Sequence, residues 1–310
     1  MPMETLVYLN GKIIPEEESK VSIFDIGFLY GATFMEAVRT FKHRYFKLDE
    51  HIERLDKSLN YAGLGSLMND IDIKAILADL LDRYTANLDR EDDCWTCINI
   101  TPGQGFPQPL MEQSTVKHKP TVAVYITPLP YSEYCKYYFE GKHAFIPNIR
   151  NIPHQSLDPK CKSRSRLHYF IAKREALIYD PDAFALLLDL QSNITESSGA
   201  NFFIVAKSKI YTSQGESVLN GISRDMVFEL AKELKIEAYE KNINLYDVYN
   251  SDEAFFTTTS YCILPVSKVN NVKIGSEIPG QVTKRLLDLW SKQVGVDIVQ
   301  QAVKFSNYKK

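Results

Sequence analysis

Cysteine is scarce in this 310-residue chain, which has five, at positions 94, 97, 135, 161 and 262. An odd number without regular spacing argues against a disulfide framework and fits a reducing compartment. The six histidines show no metal-ligand spacing with one another or with cysteine, so no metal is expected. Charge of one sign is also lacking. A net charge of −3 gives no bulk electrostatic case for nucleic acid or for an anionic membrane. No apolar run approaches membrane-spanning length, and Met1–Thr5 lacks the basic segment and long apolar core of a signal peptide. What is left, 45% hydrophobic and 24% charged, is the composition of an ordinary globular protein. Its length suits one large domain or two moderate ones, and the expected location is the cytoplasm.

Cys94-Trp95-Thr96-Cys97 has the spacing of a redox motif. It runs into the strand pattern of Ile98 and Ile100 rather than opening a helix, so the two thiols read as semi-buried packing.

Hydrophobic periodicity predicts an α+β architecture. Asn10-Gly11 turns one hairpin, and a second, Glu36 to Leu48, turns near Lys42-His43. Asp49 is expected to cap a helix with Ile52, Leu55, Leu59 and Ala62 on one face. A second helix buries Ile73, Ile76, Leu77, Leu80 and Leu81, and strands follow at 96–101 and 121–127. The first domain is thus expected over 1–128. The proline-broken run at 129–135 reads as a linker, and 136–310 as a second domain. There the pattern predicts a helix over 164–179, strands at 184–190 and 253–257, a hairpin over 202–212 and helices over 223–234 and 282–294.

The chemistry lies in a lysine and a glutamate. Lys162 opens a predicted helix, and Glu196 closes a predicted buried strand in the run Asn193 to Phe203. That pairing serves a pyridoxal phosphate enzyme. A lysine amine forms a Schiff base with the cofactor aldehyde and later carries protons, while an acid facing the pyridine nitrogen keeps it protonated. A phosphate needs N–H donors at a helix start, hydroxyls and usually an arginine. Gly221-Ile222-Ser223-Arg224 offers the first, and the cluster Thr257-Thr258-Thr259-Ser260 after a strand offers the second. Arg54, beside the Ile52/Leu55 stripe, can point inward as the third.

These motifs, in this order, resemble the class IV pyridoxal phosphate aminotransferases (fold type IV), which include branched-chain aminotransferases, D-amino acid aminotransferases and 4-amino-4-deoxychorismate lyase. The resemblance covers nearly the whole chain. Asp25 to Glu36 looks like the family's opening motif, and His51-Ile52-Glu53-Arg54-Leu55 like its phosphate-arginine helix. Family spacing to Glu175-Ala176 puts the catalytic lysine at Lys162; Lys160 competes but fits that spacing less well. The resemblance implies Glu196 at the pyridine nitrogen, and Gly221, Ile222, Ser223, Thr258 and Thr259 around the phosphate. It also implies a smaller N-terminal α/β sandwich, a larger β-barrel-like second domain, and a homodimer in which the segment near Tyr30–Met35 reaches the partner's site.

Substrate motifs point in two directions. Gly280-Gln281-Val282-Thr283-Lys284-Arg285 resembles a C-terminal signature of branched-chain enzymes, and Arg166-Leu167 after the lysine resembles the lyases. Pro102, where the D-amino acid enzymes carry an arginine, disfavours that activity. The branched-chain arginine and tyrosine are missing from Cys97-Ile98-Asn99-Ile100. Candidates for substrate contact are Met35, Arg39, Arg164, Arg166 and Ser260. The expected activity is amino transfer between an amino acid, favoured as branched-chain, and a 2-oxo acid. The alternatives are aminodeoxychorismate lyase, releasing pyruvate and 4-aminobenzoate, and a non-catalytic binding homologue. Retention of both Lys162 and Glu196 argues against the last.

Overall fold

The structure, a computed structural model, describes residues 5–104 and 119–306. The chain divides into two compact units. Unit 1 is Met1–Leu129 with Cys161–Ser165, and unit 2 is Pro130–Lys160 with Arg166–Lys310.

Unit 1 comprises β1 (Leu6–Leu9), β2 (Lys12–Pro15), α1 (Ile26–Tyr30), β3 (Phe34–Phe41), β4 (Arg44–Tyr45), α2 (Leu48–Tyr61), α3 (Ile73–Thr85), β5 (Cys94–Thr101) and β6 (Thr121–Pro128). Its strands form one antiparallel sheet in the order β2-β1-β6-β5-β3-β4. Both predicted hairpins are present. Asn10 and Gly11 have φ of 49° and 96°, and Lys42 and His43 have φ of 51° and 58°, the left-handed pairs that two-residue hairpin turns require. α2 and α3 bury Leu55, Leu59, Leu77 and Leu80 against Ile98, Ile100, Val124 and Ile126 of the sheet. Each such side chain contributes roughly 1.5–3 kcal/mol by leaving water. The start of α2 differs from expectation. The helix begins at Leu48 behind Lys47, without a side-chain cap, and Asp49 lies inside the first turn, paired with Lys74 at 2.6 Å.

Unit 2 comprises α4 (Tyr131–Tyr134), α5 (Tyr137–Glu140), β7 (Lys142–Phe145), α6 (Leu167–Tyr179), β8 (Ala183–Leu188), β9 (Ile194–Ser197), β10 (Asn201–Ala206), β11 (Lys209–Thr212), α7 (Ile222–Glu233), β12 (Ala238–Glu240), α8 (Leu245–Tyr249), β13 (Glu253–Thr258), β14 (Cys262–Val269), β15 (Val272–Lys273), α9 (Gln281–Val294) and α10 (Ile298–Ser306). The path β10-β13-β14-β7-β8-β9 closes on itself through the β9–β10 pairing, giving the barrel. Fold type IV is the architecture observed.

The units divide after Leu129, at the start of the expected linker, and α4 follows within it. Tyr131 and Tyr134 are buried, Tyr131 stacks on Phe305, and the Tyr134 hydroxyl donates to the Ser260 carbonyl. Residues 164–166 are not helical, because α6 begins only at Leu167. Among the described residues no helix is long and apolar enough to cross a membrane.

Candidate active site

The candidate residues fall into two sets, one in each unit. In unit 1, residues 162–164 meet the start of β3 through one isolated antiparallel bridge. The Met35 N–H donates to the Lys162 carbonyl at 3.0 Å, the Arg164 N–H donates to the Thr33 carbonyl at 2.8 Å, and Ser163 bridges to Phe34. The Lys162 N–H donates to Ser58 Oγ on α2 at 3.0 Å. Lys162 is therefore held by its backbone at two points, on a sheet edge. Strand alternation gives it the side opposite Cys161, which packs on the unit 1 core. Lys160 instead lies exposed, in a pair with Asp158 at 3.4 Å.

The same alternation in β3 turns Phe34, Glu36 and Val38 toward the helices, and Met35 and Ala37 toward Cys97 on the other face. Glu36 is fully buried and takes a fork from Arg54, with Nε to Oε2 at 2.8 Å and Nη2 to Oε1 at 2.6 Å. His51 Nδ1 lies 3.4 Å from the same Oε1. Burial alone would raise the Glu36 pKa, but the Arg54 charge and the His51 contact overcome it and hold the carboxyl well below its ordinary range. Burial keeps His51 below its usual value despite Glu36. Arg54 thus enters the site already oriented by Glu36, at the α2 surface where its side chain keeps 12% exposure.

This pair carries a stability prediction. Glu36→Gln removes the carboxylate onto which Arg54 forks, which costs about 3 kcal/mol. Because the folded pKa of Glu36 is depressed, its contribution is present at neutral pH. It starts to decline as pH falls below about 4, the unfolded carboxylate range, and is fully lost only as pH passes below the depressed folded value. Denaturant midpoints of wild type and variant should differ at pH 7, and the difference should narrow without vanishing at pH 3. Equal midpoints at pH 7 would contradict the pairing.

In unit 2, Glu196 on β9 is buried, and its carboxylate accepts three hydrogen bonds. Tyr169 Oη donates to Oε1 at 2.8 Å; Asn201 Nδ2 and the Leu219 N–H each donate to Oε2 at 3.1 Å. Such bonds favour the ionised acid. Burial, and then the Glu196 charge, push the Tyr169 pKa far above its ordinary value, so this hydroxyl keeps its proton.

α7 starts at Gly221, and no side chain caps its first turn. Its leading N–H groups therefore face outward for an anion. A Cβ at 221 would collide with Asn201 Oδ1, so glycine is required by the residue that also holds Glu196. The Ile222 and Ser223 side chains lie nearly buried at this turn. Arg224 does not belong to the cradle. It is buried and bonded to the Ser213 carbonyl at 3.1 Å and to Glu240 at 2.9 Å. Thr258 donates its hydroxyl to the Gly199 carbonyl at 2.7 Å, so it must turn to donate to a ligand. Thr259 and Ser260 follow it directly after β13. An uncapped helix start with neighbouring hydroxyls suits a phosphate monoester.

The other substrate candidates separate clearly. Arg39 is buried, with Nε on the Thr40 carbonyl at 3.1 Å and its guanidinium 3.9 Å from the Phe41 ring centroid. Met35 is buried among Ala37 and Cys97. Arg166 lies 5.2 Å over the Tyr169 ring. Gly280–Arg285 is a helix start: Glu253 accepts from the N–H groups of Val282 and Thr283. That motif is explained by capping and says nothing of substrate.

Glu36, Ser58, Tyr169 and Asn201 were missed by sequence reasoning. Glu36 alone left a signal, as the one acid in a buried strand facing a helix with an inward arginine.

The sequence model of the amino-transferase class IV family matches residues 33–269. The chain belongs to the class IV aminotransferases. It is 34% identical to a provisionally assigned branched-chain-amino-acid aminotransferase of Methanocaldococcus jannaschii, over 90% of this chain and 93% of that protein. It is 30% identical to aminodeoxychorismate lyase of Bacillus subtilis, over 93% of this chain and 94% of that protein. The fold superposes on branched-chain amino acid aminotransferase of Escherichia coli with a TM-score of 0.81 at 23% identity, covering 93% and 94% of the two chains. As a class IV aminotransferase, the chain is an enzyme of the pyridoxal phosphate-dependent kind.

Proposed function

We propose that this class IV aminotransferase moves the amino group of a branched-chain amino acid to a 2-oxo acid, using pyridoxal 5'-phosphate. The observation that carries the reading is Glu196, buried and fixed by three donors, in a chain that also anchors Lys162 by its backbone. A protein that only bound a ligand would need neither.

The cofactor supplies an aldehyde for exchange with the substrate amine and a ring that accepts electrons from the substrate carbon. Lys162 would hold that aldehyde, and its Nζ would carry the proton away from the substrate Cα. Glu196, held by Tyr169, Asn201 and the Leu219 N–H, would face the ring nitrogen. Ile222 and Ser223 at the α7 start, with Thr258 and Thr259, would donate to a phosphate. Arg54, oriented by Glu36, would bring a cation to a phosphate. Ser260 stands next to these hydroxyls as a lesser candidate for substrate contact.

The branched-chain preference rests on the relatives, since the C-terminal signature is a capping device. A homodimer is proposed from the family and from α1, where Phe28 and Tyr30 are 71% and 53% exposed, an apolar surface a second copy could cover. A second reading, aminodeoxychorismate lyase, is favoured by Arg166 lying over the tyrosine that holds Glu196.

One experiment separates them. Leucine, isoleucine, valine or glutamate alone should shift the bound cofactor's absorbance to that of its aminated form, and a 2-oxo acid should restore it. No shift with any donor, together with pyruvate and 4-aminobenzoate released from aminodeoxychorismate, would give the assignment to the lyase.

A further inference from the structure

We propose that Arg164, two residues beyond Lys162, is the group that grips the substrate's α-carboxylate. The proposal rests on the reading that Lys162 receives the substrate's amine. A substrate of that kind brings one obligatory anion beside the reacting carbon, and a guanidinium fork is the side chain best matched to a carboxylate.

The arginines of this chain that could serve are mostly committed. Arg54 forks onto Glu36, Arg224 is bonded to the Ser213 carbonyl and Glu240, and Arg39 is buried on Phe41. Arg164 is different. It is exposed, yet its guanidinium is fixed, with Nε donating to Asn99 Oδ1 at 3.0 Å and Nη2 to Cys97 Sγ at 3.1 Å. Neither acceptor is a carboxylate, and no carboxylate among the described residues lies within 4.0 Å of it. A guanidinium has five N–H donors, so two such bonds leave capacity for a carboxylate. Tyr125, beside Cys97, is pushed up to about 12 by burial and then by the thiol, and it presents a neutral hydroxyl to the cation. This is a positioned charge with no carboxylate partner among the described residues, which is how a site for an anionic ligand is built.

Its placement follows from the backbone. An isolated antiparallel bridge pairs Ser163 with Phe34, with the Lys162 carbonyl accepting from the Met35 N–H and the Arg164 N–H donating to the Thr33 carbonyl. The residues that flank a bridge position point to one side, here Lys162 and Arg164, roughly 6–7 Å apart. Two long side chains at that spacing can converge on one small amino acid. The fork reaches across to β5 at Cys97 and Asn99, the positions where the branched-chain pattern of arginine and tyrosine is missing. An arginine delivered from the lysine segment thus replaces one on β5.

The test uses the holoprotein. Arg164→Gln should raise KM for both the amino acid and the 2-oxo acid about 10- to 100-fold, the range a charge-assisted fork supports, and the rise should exceed the fall in kcat. Arg164→Lys should recover part of it. Calorimetric titration supplies a readout independent of turnover. 4-Methylpentanoate should bind the glutamine variant about 10- to 100-fold more weakly than wild type, while 4-methylpentanamide binds both alike. Unchanged carboxylate affinity in a variant that still carries cofactor overturns the proposal alone. A wild-type holoprotein that ignores both the carboxylate and every amino donor overturns the aminotransferase reading and the proposal with it.

Discussion

Lys162→Ala should fold, bind cofactor without a covalent link, and turn over on the order of 10⁴-fold more slowly, the upper range for losing a positioned proton carrier. The fold survives because the contacts that hold position 162 are made by its backbone: the N–H to Ser58 Oγ and the carbonyl to the Met35 N–H. Alanine keeps both. What it lacks is the amine that accepts the substrate's Cα proton. A small primary amine added to the medium should therefore restore part of the rate, with no change in melting temperature. Turnover within tenfold of wild type would remove Lys162 from the chemistry and return attention to Lys160.

The second large effect is at Glu196. Glu196→Gln should retain cofactor but lose turnover on the order of a thousandfold, which is about 4 kcal/mol of barrier. A neutral amide cannot hold the ring nitrogen as a cation, and the substrate carbanion then loses its electron sink. The surroundings sharpen the prediction. Oε1 accepts from Tyr169 and Oε2 from Asn201 and Leu219, so a Gln oxygen can keep the latter two only if its NH₂ faces Tyr169, whose hydroxyl must then stop donating and accept. The apo-protein should therefore also lose about 1–3 kcal/mol of stability. A variant of near wild-type turnover would show that Glu196 does not serve the ring.

The parts legible in the sequence were those dictated by local pattern or by chemistry that leaves few choices. The Leu55, Leu59, Leu77 and Leu80 stripes specify two helices on a sheet, and Asn10-Gly11 specifies its turn. Lys162 and Glu196 stand out because a carbonyl cofactor needs an amine and a ring nitrogen needs an acid. What could not be read depends on partners distant along the chain. Residues 164–166 carry a pattern compatible with helix, but the Arg164 N–H is taken by the Thr33 carbonyl beside the Ser163–Phe34 bridge. The Glu36–Arg54 fork exists only once α2 lies on β3. Prolines at 128 and 130 suggested a linker; the short helix after them could not be read, because it depends on Tyr131 and Tyr134 burying against Phe305 and Tyr261. The run Gly280–Arg285 was read as a substrate signature because its role in capping requires Glu253, which sequence spacing does not connect to it.

The most direct test of the central claim is chemical mapping of the cofactor attachment. The purified protein, supplied with pyridoxal 5'-phosphate, is reduced with borohydride, digested, and its peptides weighed. The account predicts a single phosphopyridoxyl adduct, on Lys162, that disappears if a branched-chain amino donor is added before reduction. An adduct on Lys160, or none at all, would contradict it.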